Sequence, residues 1–226
     1  MAFYDFEEDM NLHSEKKTKK IVVTPYNPDW PHIFEKEASK IRETIGANCI
    51  AIHHIGSTSV PGLSAKQVID MIGIVKNPEE AIQPLESLGF KYKGEYNIPL
   101  RFYFNRSEGV NTNLHIYEEG HPEIELNLLF RDYLRQHPEA KNEYGKLKED
   151  LLKEKSSYEK NNSLFTGYNL GKDAFIRKIL QAANFNRIRM MKCTHYAEWE
   201  VAKQLRNKYF FDPLSIADPY TWTFDQ

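Results

Sequence analysis

Three hydroxyl residues behind a glycine, then one acid inside an apolar run, are the residues of this chain best placed to do chemistry. His54-Ile55-Gly56-Ser57-Thr58-Ser59-Val60-Pro61-Gly62-Leu63 reads as a glycine- and hydroxyl-rich turn. Val68-Ile69-Asp70-Met71-Ile72-Gly73-Ile74-Val75 reads as a buried strand carrying Asp70. Gly56 lets the backbone approach a ligand closely, and Ser57, Thr58 and Ser59 add hydroxyls and free N–H groups, the equipment of a phosphate cradle. A carboxylate in such a strand is costly to desolvate unless a metal ion, a lysine or an arginine pairs with it. A cradle beside a strand-borne carboxylate is what metal-assisted phosphoryl or nucleotidyl transfer needs. The cradle neutralises phosphate oxygens and the carboxylate holds Mg2+ against them. The plainer alternative is a tight turn at Gly56 and an ordinary buried ion pair at Asp70.

Four further residues bear on this chemistry. Lys66 can meet a phosphate as a point charge or pair with Asp70. Arg101 lies in a run with apolar alternate neighbours, and His115 lies within Leu114-His115-Ile116, facing opposite to both. An imidazole on that face can act as acid, base or metal ligand, or can be a hydrogen-bonded structural group. Arg131 follows an apolar run, where ligand-facing residues gather; its alternative is a salt bridge to Asp132 or Glu125.

The elements that must position these groups follow from turn signals and periodicity. Asn27-Pro28-Asp29 is a turn, and Pro31 suits the first turn of a helix capped by Asp29, with Ile33, Phe34, Ala38, Ile41 and Ile45 on one stripe. Strands are expected over 49–55 and 68–75, the second apolar almost throughout, as in a strand buried on both faces. A helix follows over 77–88. Runs 90–96, 100–105, 114–117 and 124–130 read as strands, and from Arg131 the pattern turns helical through about 183. The order predicts an α+β fold with a mixed sheet flanked by helices. Residues 1–20 mix acids with Lys16, Lys17, Lys19 and Lys20 and read as a mobile arm, 21–185 as the main domain, and 186–226 as a C-terminal extension. In the extension, 195–209 reads as an amphipathic helix and Thr221-Trp222-Thr223-Phe224 as a starting strand.

Thirty basic residues against thirty-two acidic ones leave a net charge of −2, so any anion site is local and no extended nucleic-acid surface is expected. Hydrophobic residues at 41% are enough for a real core. Cys49 and Cys193 show no metal-ligand spacing, and no apolar run approaches a membrane span. A reduced, cytoplasmic protein without a signal peptide is the expectation.

Ile55-Gly56-Ser57 and Asp70 are similar to the signature of polymerase-beta-like nucleotidyltransferases, in which an apolar-Gly-Gly/Ser turn precedes Asp-x-Asp or Asp-x-Glu on a strand. Residue 72, where the second acid belongs, is Ile. The run from His54 to Asp70 resembles the hallmark of the GrpB family, as do Tyr26-Asn27-Pro28-Asp29-Trp30, Arg101-Phe102, Leu114-His115-Ile116, Phe130 to Arg135, and Tyr168, Lys172, Phe175 and Ile176. Gln67 departs from it, since the family usually has Pro there. The resemblance implies a nucleotidyltransferase-like scaffold that binds a nucleotide or other phosphorylated small molecule, with nucleotidyl transfer as the reaction if it is catalytic. It implies Gly56, Ser57, Thr58, Lys66, Arg131 and Lys172 on the phosphates and Mg2+ on Asp70 with Glu125. Asp70, His115 and Arg101 would be the catalytic set. Two alternatives stand beside it: a non-catalytic binding module for a partner or a coenzyme A-type ligand, motivated by Ile72, and the front part of a two-domain acetyltransferase, motivated by the faint resemblance of the extension to the start of such a domain.

Overall fold

The computed structural model describes residues 21–159, 165–190, 192–193 and 196–218. Pro31 sits in the first turn of α1 (Trp30–Ile45), whose Trp30, Phe34, Ala38, Ile41 and Ile45 form one buried stripe. Asp29 holds the expected cap position but makes no side-chain cap bond; the Asn27 side-chain oxygen accepts from the Asp29 N–H at 2.9 Å and shapes the turn ahead of the helix.

The expected α+β architecture is present. Strands β1 (Cys49–Ile55), β2 (Ile69–Val75), β3 (Lys91–Tyr92), β4 (Phe102–Arg106) and β5 (Thr112–Glu118) form one mixed sheet in the order β1-β2-β5-β4-β3. β2 runs antiparallel to β1 and parallel to β5. The helix α2 (Ile82–Ser87) joins β2 to β3. One sheet face carries Met71, Val75, Leu114, Ile116 and Phe104 against α1 and α2. The other face carries Ile72 and Tyr117, packed with Ile55, Ile98 and Ile124. Asp70 lies on this second face, because side chains alternate along β2.

Two expected strands turn out differently. The run 124–130 belongs to helix α3 (Pro122–Gln136). Pro122 occupies the first turn, and His121 Nδ1 accepts from the Glu123 N–H at 3.2 Å, a start signal that outweighs the apolar alternation. In the helix Ile124 and Leu128 share a face, four residues apart, and pack on the sheet. In the run 90–96 the regular ladder covers only Lys91 and Tyr92; Lys93 and Gly94 still exchange backbone bonds with Tyr103 at 2.8 and 3.0 Å, and the left-handed backbone of Gly94 and Tyr96 (φ 69° and 58°) breaks the strand there.

Helices α4 (Pro138–Lys153), α5 (Gly167–Leu170) and α6 (Asp173–Ala182) complete the main body. Leu134, Tyr144, Phe175 and Ile179 from α3, α4 and α6 close over Val60 and Leu63, fixing the glycine-hydroxyl turn from its far side. Beyond α6 the chain crosses the start of α3: Arg187 pairs with Glu125, and Arg189 with the buried Glu123. Lys192 then bonds Glu95 through its ammonium and Asn97 through its backbone N–H. Helix α7 (Tyr196–Arg206) follows, close to the expected amphipathic helix. The expected arm at 1–20 and strand at 221–224 lie outside the described residues. Among the described residues no helix is long and apolar enough to cross a membrane.

Candidate functional site

The turn after β1 bends tightly at Gly56, with φ 68° and ψ −173°, angles a side chain resists. A Cβ at Gly56 would fall 2.5 Å from Asp70 Oδ2, so glycine is what lets the turn lie against the acid. Helix α3 clamps the turn: Arg131 donates to the His54 carbonyl at 3.0 Å, and Arg135 donates twice to the Ser59 carbonyl at 3.0 and 2.8 Å. The Ser59 hydroxyl closes the bend onto the Gly56 carbonyl at 2.6 Å.

Gly56, Ser57, Val60, Asp70, Phe130, Arg131, Leu134, Tyr144 and Lys172 surround a cavity of about 160 Å³. Lys148 stands behind Ser57 with only 3% of its surface exposed; its ammonium donates to Ser57 Oγ at 3.1 Å and to the Ser64 carbonyl. Lys66 and Lys172 each place their ammonium 4.6 Å from the centre of the Tyr168 ring. Burial, with neighbouring Lys66 adding to it and Asp70 pulling the other way, lowers the pKa of Lys172 to about 8. Lys148 is likewise brought down to about 8, by burial first and Lys172 second. Burial raises the Asp70 pKa, while Asn113, Lys172 and Lys66 work against the rise.

Asp70 Oδ1 accepts from the Asn113 amide at 2.8 Å, and Asn113 Oδ1 accepts from the Tyr103 hydroxyl at 2.9 Å. The parallel register makes this chain: Asp70 lies opposite Asn113, and Ile72 opposite His115. His115 stacks on the Tyr103 ring at 5.2 Å, and the buried Arg101 guanidinium lies 5.1 Å from that ring. Burial, assisted by Arg101, drops the His115 pKa to about 3, so its imidazole is neutral.

Gly56, Ser57, Asp70, Arg131 and Lys172 thus share one cavity, with Lys66 beside it. Arg131 holds Asp132 through two of its nitrogens at 2.7 and 2.9 Å, the salt bridge that is its alternative role. His115 lies on the Asp70 face of the sheet and Arg101 just ahead of β4, and neither lines the cavity. Thr58 does not reach the cavity. Its hydroxyl donates to the Val68 carbonyl at 3.3 Å and accepts from His54 Nε2 at 3.0 Å, inside the protein. Glu125 sits on α3 rather than on a strand and pairs with Arg187, not with the Asp70 cluster.

The Mg2+ implied by the nucleotidyltransferase resemblance meets a poor donor set here. Paired divalent ions need several carboxylates, and Asp70 is the one acid on the cavity wall. Ile72 is fully buried, and Asn113 presents its amide N–H to Asp70. Among the described residues there is no group of three His, Cys, Asp or Glu side chains that could hold a metal. The residues do not fit the ion pair of that chemistry.

Asn113, Tyr103 and Tyr144 belong to the site and are absent from the set picked out by sequence. Lys148 carried a signal: it sits four residues after Tyr144 and three before Leu151, on the apolar stripe of α4. Asn113 becomes visible only once β2 and β5 are paired.

The GrpB protein family model matches residues 20–182, the whole of the sheet and its clamp. The chain belongs to the GrpB family. UPF0157 protein YqkA of Bacillus subtilis (strain 168) is 42% identical over 137 residues, 59% of this chain and 40% of YqkA. UPF0157 protein PA4798 of Pseudomonas aeruginosa is 32% identical over 170 residues, 73% of this chain and 68% of that protein. The match thus spans well under half of YqkA and about two thirds of PA4798. The crystal structure of conserved protein GrpB from Enterococcus faecalis shares the fold with a TM-score of 0.62 and 35% identity, covering 72% of this chain and 96% of that one.

Proposed function

We propose that this GrpB-family chain binds a nucleotide or other phosphorylated small molecule through its phosphate end. The observation that carries the reading is the cavity in which the Gly56–Ser57 turn faces Asp70 and Lys172, with the Lys148 ammonium on Ser57. Ser57 Oγ, the turn amides and the ammonium groups offer donors and positive charge to one point. A volume of about 160 Å³ is small against the roughly 300–1,000 Å³ of pockets that enclose a whole drug-sized ligand. It suits a phosphate group with the rest of the molecule outside. A binding role is favoured over nucleotidyl transfer by Ile72, a core residue where the second acid of that chemistry belongs.

Calorimetric titration with ATP, CTP, GTP and inorganic pyrophosphate, each with and without Mg2+, tests the reading. Binding that weakens in Lys172→Gln is the expected result. No heat with any of them at millimolar ligand, for a folded protein, would end it.

A further inference from the structure

Resting on the phosphate-binding reading above, we infer that the site takes a phosphate or diphosphate end group without a divalent cation, the ammonium groups of Lys66, Lys148 and Lys172 supplying the positive charge. The oxygens a cation would use are already engaged. Asp70 Oδ1 accepts from Asn113, and Asp70 Oδ2 faces the backbone of Gly56 so closely that a single added carbon would strike it. Asn113 Oδ1 accepts from Tyr103, and Ser57 Oγ accepts from Lys148. Mg2+ wants a near-octahedral shell of oxygens, and neighbouring cations repel it.

The charges point the same way. Arg131 and Arg135 share Asp132, and around the cavity three ammonium groups stand against the one carboxylate of Asp70. The surplus is at least two positive charges, enough to balance a phosphate monoester dianion. Lys66 and Lys172 are close enough to Asp70 to pull its pKa down, and Lys172 is close enough to Lys148 and Lys66 to be linked with both. Each ammonium is a compact point charge suited to meeting phosphate oxygens. Asp70 is then the one negative charge facing an arriving anion, offset by Lys66 and Lys172 beside it.

Titration of the full chain with inorganic pyrophosphate, once with EDTA and once with excess Mg2+, separates the possibilities. Expected is binding in EDTA that Mg2+ leaves equal or weaker, because the ion lowers the charge of the ligand. Asp70→Asn, which keeps the shape and removes the negative charge, should bind pyrophosphate as tightly or more tightly. Lys172→Gln should bind about tenfold more weakly in EDTA. Heat that appears only with Mg2+ would overturn the inference and leave phosphate binding standing, as would loss of binding in Asp70→Asn with an unchanged circular dichroism spectrum and melting temperature. Silence of the native protein under both conditions and with nucleotides would remove phosphate binding itself.

Discussion

At the scale of single residues, the site is made by a glycine that admits an acid and by lysines drawn out of water, Lys148 wholly and Lys66 and Lys172 in part. Gly56→Ala asks a Cβ to occupy the space of Asp70 Oδ2 at backbone angles that favour glycine. It should lower stability by about 1–3 kcal/mol in urea denaturation and abolish anion binding even where the fold survives. Lys148→Met keeps an unbranched stem but removes the ammonium from the face of the Tyr144 ring and from Ser57, so affinity for pyrophosphate should fall, read by titration of the folded variant. The free-state pKa of about 8 for both Lys148 and Lys172 gives a pH signature. Only the charged ammonium attracts an anion, so affinity should decline as pH rises above about 8, and it should also fall toward about pH 6 and below as the phosphate end group takes up a proton, measured by titration with pyrophosphate. The Gly56–Ser57 turn and Asp70 were legible in the sequence because a glycine, hydroxyls and an acid in an apolar run are local signals. Lys148 was half legible: its place on the stripe of α4 was open to view, but a lysine on a helix is normally solvent-facing.

At the scale of elements, the register of β2 against β5 decides which side chains meet. It puts Asn113 beside Asp70 and His115 beside Ile72, pairings between residues 43 positions apart that no local pattern reveals. The strands β1 and β2 and the helices α1, α4 and α6 follow their hydrophobic periods closely. Helix α3 does not, because Ile124-Glu125-Leu126-Asn127-Leu128 alternates like a strand while Pro122 and His121 start a helix ahead of it. That one difference moves Glu125 away from the acid cluster. Strand β1 also buries His54, stacked on Phe34 at 4.7 Å, with its pKa lowered to about 4 by burial and by Arg135 and Arg131. The unfolded chain takes up the proton near pH 6.5 and the folded one only near 4, so the unfolded state binds more protons between those values. Stability is therefore fully present above about pH 6.5 and falls as pH drops toward 4, by on the order of 3 kcal/mol from this residue. His54→Leu should be less stable at pH 7, having lost the bond to Thr58, yet show a flatter loss of melting temperature between pH 7 and pH 5.

At the scale of the whole chain, the segment past α6 ties together parts that are distant in sequence. Arg189 covers the carboxylate of Glu123, whose side chain is only 4% exposed, and Lys192 holds the loop from Glu95 to Arg101 through Glu95 and Asn97. That loop in turn fixes Arg101, whose guanidinium donates to the Glu95 carbonyl at 3.1 Å and to the Asn97 side chain at 3.2 Å. Arg189→Ala leaves a buried charge without its partner and should cost on the order of 2–3 kcal/mol, read as a lower denaturation midpoint. Amide exchange in residues 95–101 should quicken in the same variant. Little of this was open to sequence reading, since Arg187, Arg189 and Lys192 look like ordinary surface charge until their acids are found across the fold. Along β2, two residues part the sheet face between water and hydrocarbon: Asp70 looks into the cavity, and Ile72 is sealed beneath Tyr117 and Ile124. An engineer who installed an acid at 72 to recover a two-ion centre would be driving a charge into the floor of the molecule, and the floor would give way before any ion arrived.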